Sequence, residues 1–441
     1  MRVSRQPAIV TELASRTSQP PAVRELTQLP FWCALFFWSL LPDTWTPRLN
    51  IVDLPVDSKD LLLLGVALFY GVLRMYRKKR REREERTPLL SIFFVLLYAV
   101  VSIAWSGMDG TNALAMSYTL LLAGAAVTVG YAVLPLDVKD REAFLSRLVL
   151  FLSSVSLLYF AESFFSLGLR SEAGLGYLDF GMQRVKGPLF GASTGHFILL
   201  PALGYALDIA IRQRRKLMPI AAAFGLLLAM LGLGSRSAML SLMACLVLLL
   251  LFGNRSIRIA AVGLLVLTAI AAALILFRAD EARLTKIDEE GRESTYWATW
   301  NKISSGSPAS MVLGAGYGGL WPWYLTDMTP TAFTDINLYM PATDYGRMLY
   351  HPHSTIVFLV AELGSAGVFF IAVLFRTVAN VMRKTARQAI LGSALAASCI
   401  ALLFDLFIFK NARMSVIWWM FVFSAVRATS VQYLSRTRVQ S

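Results

Sequence analysis

The sequence predicts an all-α, polytopic membrane architecture of about twelve transmembrane helices and one large loop subdomain. Three observations predict it. The chain of 441 residues is 56% hydrophobic and only 16% charged, more apolar surface than a soluble fold can use. Apolar stretches of roughly the 20 residues that cross a bilayer recur along most of its length. Finally, the basic residues alternate between dense and sparse loops, as they do when every second loop faces the cytoplasm.

In order, the predicted spans begin near Leu29, Leu61, Leu89, Ala113, Leu148, Ser193, Leu217, Ser237, Ile259, Thr355, Ile390 and Ser415. They divide the chain into an N-terminal tail (1–28), nine helices with short loops (29–277), a loop subdomain (278–352), three further helices (353–432) and a C-terminal tail (433–441). Residues 1–28 are polar and contain Pro20 and Pro21, which reads as a disordered tail and not as a signal peptide. Cys33, Cys245 and Cys399 each fall inside an apolar span without paired spacing, so they read as small membrane-core residues.

With both termini together, one side of this arrangement holds 28 of the 42 Lys and Arg residues, and that side is expected to be cytoplasmic. The net charge of +14 is therefore a signal of topology. The run at 77–86, RKKRREREER, reads as an anchor on anionic lipid, and no nucleic-acid partner is expected.

The opposite, outer side carries the candidate chemistry. The segment from Arg278 to Tyr350 opens with a stretch able to form a helix bearing Trp297 and Trp300. It continues rich in Gly, Pro and Thr, as suits an irregular cover over a site. Within it, Gly314-Ala315-Gly316-Tyr317-Gly318-Gly319 fits GxGxxG by letter, yet no strand precedes it and no helix follows, so a tight turn is expected instead of a dinucleotide site. Four outer elements can act together: the loop Gln183 to Gly191, the short turn Gly234-Ser235-Arg236-Ser237, the loop Arg292 to Trp321, and the run from His351 and His353 to Gly367.

Arginine beside the membrane on the outer face runs against the positive-inside bias, so each one needs a reason. A guanidinium is a permanently charged planar fork suited to phosphate oxygens, and a lipid diphosphate at the bilayer edge would suit it; the plain alternative is snorkelling to headgroups. Arg184, Lys186, Arg236 and Arg292 are the cations so placed. If Pro352 is the first helical residue, His351 lies near the cap and His353 in the first turn, about 200° apart around the axis. The positive end of the helix would then keep His353 neutral and able to accept a proton. Glu362, nine residues further on, faces away from His353; beside Gly364 and Gly367 it reads as a hydrogen bond to a neighbouring helix. Glu162 and Asp405 need partners for the same reason. The acidic cluster Asp288-Glu289-Glu290 has no histidines beside it and the chain has no Asp-x-Asp, so no metal is expected.

This order of elements resembles the O-antigen ligase and polymerase superfamily: Arg184-x-x-Gly187 before a span, Ser235-Arg236 in a tight turn, Arg292, Trp300 and Gly314-x-Gly316 in a large outer loop, then His353 leading to Glu362-x-Gly364-x-x-Gly367. The resemblance runs from about Gly181 to Phe375. It implies a metal- and cofactor-free, inverting glycosyltransferase in the bacterial inner membrane, with both termini cytoplasmic and a periplasmic site. The implied donor is a glycan on undecaprenyl diphosphate held by Arg184 and Arg236, with Lys186 and Arg292 nearby. His353 is the implied base and His351 its neighbour. In the ligase branch the acceptor is the lipid A-core oligosaccharide of lipopolysaccharide. Ser354 stands where asparagine commonly follows the histidine.

The same features leave other readings open. An O-antigen polymerase or a protein O-oligosaccharyltransferase would use the same donor with another acceptor. A transporter or flippase would show internal repeats and polar residues near mid-membrane, and this chain gathers its polar residues at one face.

Overall fold

A computed structural model describes residues 21–42, 46–51, 54–76, 83–108, 110–165, 185–191, 194–212, 217–255, 257–259, 261–266, 299–300, 303–321, 342–343, 346–347, 354–384, 389–404 and 406–440. The chain is mostly helical. The helices are α1 (Pro21–Leu40), α2 (Ser58–Tyr76), α3 (Arg83–Ser102), α4 (Gly110–Ala132), α5 (Val138–Phe165), α6 (His196–Arg212), α7 (Leu217–Gly232), α8 (Arg236–Phe252), the short α9 (Pro308–Leu313), α10 (Thr355–Lys384), α11 (Ala389–Ser398), the single turn α12 (Phe407–Lys410) and α13 (Ala412–Gln440). Among the described residues four helical stretches, Pro88–Trp105 (α3 with the 3-10 turn Ile103–Trp105 that follows it), Ala113–Ala132, Val138–Phe165 and Thr355–Met382, are long and apolar enough to cross a membrane. Leu217–Gly232, Ser237–Phe252, Ile257–Val266 and Ile390–Leu403 are shorter apolar helices.

Hydrogen bonds between helix ends show that successive helices run in opposite directions. At one end, here the upper, Tyr159 of α5 donates to the carbonyl of Ser39, and the Lys59 ammonium at the start of α2 donates to that of Leu41. At the lower end the Tyr70 hydroxyl of α2 donates to Thr27 O of α1 at 2.9 Å, and Arg212 of α6 pairs with Glu142 of α5 at 2.8 Å. Arg74 reaches the Tyr131 hydroxyl there at 3.1 Å.

The core lies around α13, where Trp418 and Trp419 are fully buried. Phe197 is stacked between Phe407 and Trp418, with ring centroids 4.7 and 4.9 Å apart. Small residues let the backbones close up: a side chain at Gly130 would strike Trp419, and one at Gly204 would strike Ala394. The outside of the bundle is apolar as well. Leu68, Leu90, Phe94, Leu97, Phe224 and Leu251 are each more than half exposed, a surface that suits hydrocarbon and not water.

Observed helix starts follow the expected spans closely, with informative departures. Helix α1 begins at Pro21, ahead of Leu29, and α5 at Val138, ahead of Leu148. Hydropathy marks the apolar stretch, whereas a helix continues into polar residues until a cap or a proline stops it. For the same reason α13 runs on to Gln440, through the segment expected as a separate tail. All-α needs correcting in detail, because two short antiparallel hairpins are present: β1 (Arg48–Ile51) with β2 (Leu54–Asp57), and β3 (Ala342–Thr343) with β4 (Gly346–Arg347). The first pairs Arg48 with Asp57 and Leu49 with Val56, a two-residue alternation too short to stand out beside the spans. The three cysteines lie in helices, Cys245 and Cys399 buried and Cys33 exposed.

Arg427 ties α13 to the end of α4. Its guanidinium is buried, donates to Leu134 O at 3.0 Å and to Tyr131 O at 3.1 Å, and lies over the Tyr131 ring. Arg427→Ala leaves those carbonyls without their donor and should cost about 1–3 kcal/mol. A clear fall in the melting temperature of the detergent-purified protein is expected, while Arg147→Ala, which breaks only an exposed pair with Glu25 at 4.0 Å, should leave it unchanged. Equal shifts would contradict the assignment.

Candidate functional site at the upper end of the bundle

Two of the outer elements are brought side by side. The N–H of Val185 donates to Gly232 O, the last residue of α7, at 2.9 Å. Leu189 N–H donates to the Tyr159 hydroxyl at 3.1 Å, and Gly191 N–H to the Thr194 hydroxyl at 2.9 Å, so the loop is pinned along its length. Lys186 sits half-buried between pinned neighbours. From Gly232 the chain turns through Gly234, whose φ of 56° is left-handed, and α8 starts at Arg236. Residues 185–186 and the turn at 233–236 therefore flank one point of the upper end.

A second point is organised by α12. Phe407 N–H donates to the Thr355 hydroxyl at 3.1 Å, and the Phe407 ring meets that of His196 edge-on at 6.2 Å. Phe409, on the same turn, packs against Tyr317 and Phe358 at 5.7 and 5.6 Å. One turn of helix thus joins the mouth of α6, the mouth of α10 and the outer loop. His196 is fully buried here, and sequence reasoning passed over it. Its only signal was a histidine directly after Gly195 at the start of an apolar span.

The start of α10 matches the span expected from Thr355. The helix begins at Thr355, and the Ser354 hydroxyl accepts from Val357 N–H at 3.3 Å as a capping residue does. It also donates to Leu402 O at 3.3 Å. Pro352, His353 and His351, on which the expected helical angle rests, lie outside the described residues. Serine in place of asparagine is explained by this cap, which either residue can make.

The glycine run is a tight turn, as its surroundings in the sequence required. Gly314, Gly316 and Gly318 have φ of 79°, 88° and 79°, open to glycine at little cost. The resulting cradle of N–H groups is filled from within the chain. Glu362, fully buried, accepts from Gly318 N–H at 2.7 Å, Trp321 N–H at 3.0 Å and Leu320 N–H at 3.2 Å. Its partner is loop backbone and not a neighbouring helix. Tyr317 N–H donates to the Ser102 hydroxyl of α3 at 2.9 Å, and the Tyr317 hydroxyl pairs with Thr119 of α4 at 2.8 Å.

Arg184, Arg292, His351, His353, Trp297, Asp405 and the cluster at 288–290 lie outside the described residues, as does most of 278–352. Arg236 is placed by its backbone at the start of α8. Trp300 is exposed, and Glu162 is buried in the upper part of α5 near Tyr159. Sequence reasoning also missed the group of Asp57, Lys59, Asp60 and Arg413, in which Arg413 lies 3.7 Å from each aspartate. These charges are scattered between two distant helices and a hairpin, so no local pattern reveals them.

An apolar helical bundle that includes four stretches long and apolar enough to cross a membrane has the architecture of a membrane protein. Residues 221–372 match the family model described as O-antigen ligase, so this part of the chain is similar to that family. The matched stretch includes Arg236, Arg292, His351, His353, the glycine turn and Glu362, while Arg184 and Lys186 precede it. No curated protein matches the chain.

Gly316 tests the turn. A Cβ there would lie 2.6 Å from Ser102 O, and the backbone angle alone costs roughly 1–3 kcal/mol for other residues. Gly316→Ala should sharply lower the yield of monodisperse protein, whereas Gly65→Ala, facing open space within α2, should be at least as stable as the parent. Size-exclusion profiles of both variants decide it, and normal behaviour of Gly316→Ala would refute the turn geometry.

Proposed function

We propose that this chain is an O-antigen ligase, a membrane glycosyltransferase that moves a glycan from undecaprenyl diphosphate to the lipid A-core oligosaccharide at the periplasmic face of the inner membrane. The observation that carries the reading is the Val185–Gly232 hydrogen bond, which sets the chain next to Arg184 and Lys186 against the turn leading into Arg236, within a bundle that carries the family domain. Two guanidiniums from separate elements, Arg184 and Arg236, with Lys186 two residues after the first and Arg292 contributed by the 278–352 loop, would offer a lipid diphosphate the paired donors it needs.

The chemistry follows from the bond that breaks. A glycosyl diphosphate is a weakly basic leaving group, so its departure calls for charge stabilisation, supplied by arginine, and not for a general acid. The acceptor hydroxyl does need a base as it attacks the anomeric carbon. His353, directly before the Ser354 cap, takes that proton, and His351 plays a lesser part. Attack opposite the diphosphate inverts the anomeric centre. In this reading twelve helices span the membrane, the lower end is cytoplasmic with both termini, and the large loop 278–352 is periplasmic. The lower-end arginines Arg74, Arg147 and Arg212 accord with that orientation.

The test is to incubate purified protein with lipid-linked glycan and core lipopolysaccharide, together and separately. Glycosylated core should form only with both, in the presence of a strong chelator as well. Glycan lengthening without core would identify a polymerase instead. His353→Ala should abolish transfer while still binding the donor, and Arg236→Lys should impair it despite retaining charge. Near-normal transfer by both variants would remove these residues from the reaction.

Sidedness has its own test. Single cysteines at Thr331 and Thr87, in a background lacking the native three, should react with a membrane-impermeant reagent from opposite sides, Thr331 from outside. Labelling of both from one side would overturn the twelve-span orientation.

A further inference from the structure

Glu362 is spent on backbone. Two oxygens take three N–H groups of the glycine turn, leaving it poorly placed to accept a substrate proton. Its neighbourhood explains why a carboxylate is kept there. Gly364 has φ 54° and ψ −129°, which interrupts α10. An interruption at that point frees the carbonyls of Ala361 and Glu362 from their usual helical donors. The turn supplies replacements: Ala315 N–H donates to Ala361 O at 3.0 Å and Gly316 N–H to Glu362 O at 2.9 Å.

The break leaves Thr355–Leu363 as a short arm held at both ends. Its tip is fixed through Ser354 to Leu402 O and through Thr355 to Phe407 N–H. Its base is fixed by Glu362 to the turn, and the turn in its own right to Ser102 and Thr119. Phe358, midway along, packs against Tyr317 and Trp321. The arm is thus held by contacts at both of its ends, the Glu362 carboxylate among them.

We propose that Glu362 is a positioning residue for the transfer reaction: by clamping the glycine turn it orients the Thr355–Leu363 arm, and with it the residue that immediately precedes Ser354, His353. This rests on the reading of His353 as the base. Glu362 itself touches neither donor nor acceptor. Loss of the clamp should therefore slow the chemical step and leave donor affinity alone, a separation that a residue needed only for folding would not produce.

Glu362→Gln keeps the size but turns an NH2 group toward N–H donors, and Glu362→Asp keeps the charge but withdraws it by one methylene. Both are compared with the parent in full-length purified protein, with lipid-linked glycan and core lipopolysaccharide as substrates. Glu362→Gln should lower kcat by about tenfold to a hundredfold, the scale of a misplaced catalytic group. KM for the glycan donor should stay within about twofold, as expected when only transition-state interactions are lost. Glu362→Asp should retain more activity than Glu362→Gln. An unchanged kcat overturns the proposal, as do a rise in KM matching the fall in rate or failure of both variants to fold. Normal transfer by His353→Ala alone would instead strike the reading of the base, so the two failures are told apart.

Discussion

A backbone that leaves regular helix inside an apolar bundle must still have its N–H and C=O groups answered, because hydrocarbon offers nothing to replace them. Several irregularities among the described residues show the constraint being met. The last carbonyls of α1 receive the Tyr159 hydroxyl and the Lys59 ammonium. Gly232 O, ending α7, receives Val185 N–H. Arg427 closes the end of α4, and the glycine turn with Glu362 closes the break in α10. Most of these polar groups are charged or aromatic side chains from distant parts of the sequence, so each repair also fastens one helix to another.

The candidate site is a product of those repairs. Its elements lie at the upper end because that is where α1, α5, α7 and α10 stop or break, and the bonds that satisfy them draw the loops together. The 185–191 loop comes to the 233–236 turn through one backbone bond, and the mouth of α10 meets the mouth of α6 across Phe407. The family match spans α7 to the first half of α10 and so takes in the turn at Arg236, the glycine turn and the broken helix together.

Much of the fold was legible from hydropathy, since a span of apolar residues has few alternatives to a helix in a membrane. The starts at Leu217, Ser237 and Thr355 agree with the observed helices within a residue. The glycine run could be read as a turn because its context excluded a nucleotide fold, and three left-handed glycines bear that out. The start of α10 was legible as the beginning of an apolar span, but not that the Ser354 hydroxyl would accept from Val357 N–H there. For Glu362 the need for a partner was evident; which partner was not.

By itself, then, the sequence determined the helical class, the approximate helix starts and the residue types available for chemistry at each loop, because these depend on local apolarity, charge and glycine content. Only the tertiary structure decided which groups answer one another: that Glu362 holds a turn 41 to 44 residues earlier, that Val185 reaches Gly232, and that His196 and Thr355 share Phe407. The physical reason is that a buried carboxylate or carbonyl requires some donor but does not specify which one. Tertiary packing makes that choice, by setting which groups lie within hydrogen-bond reach.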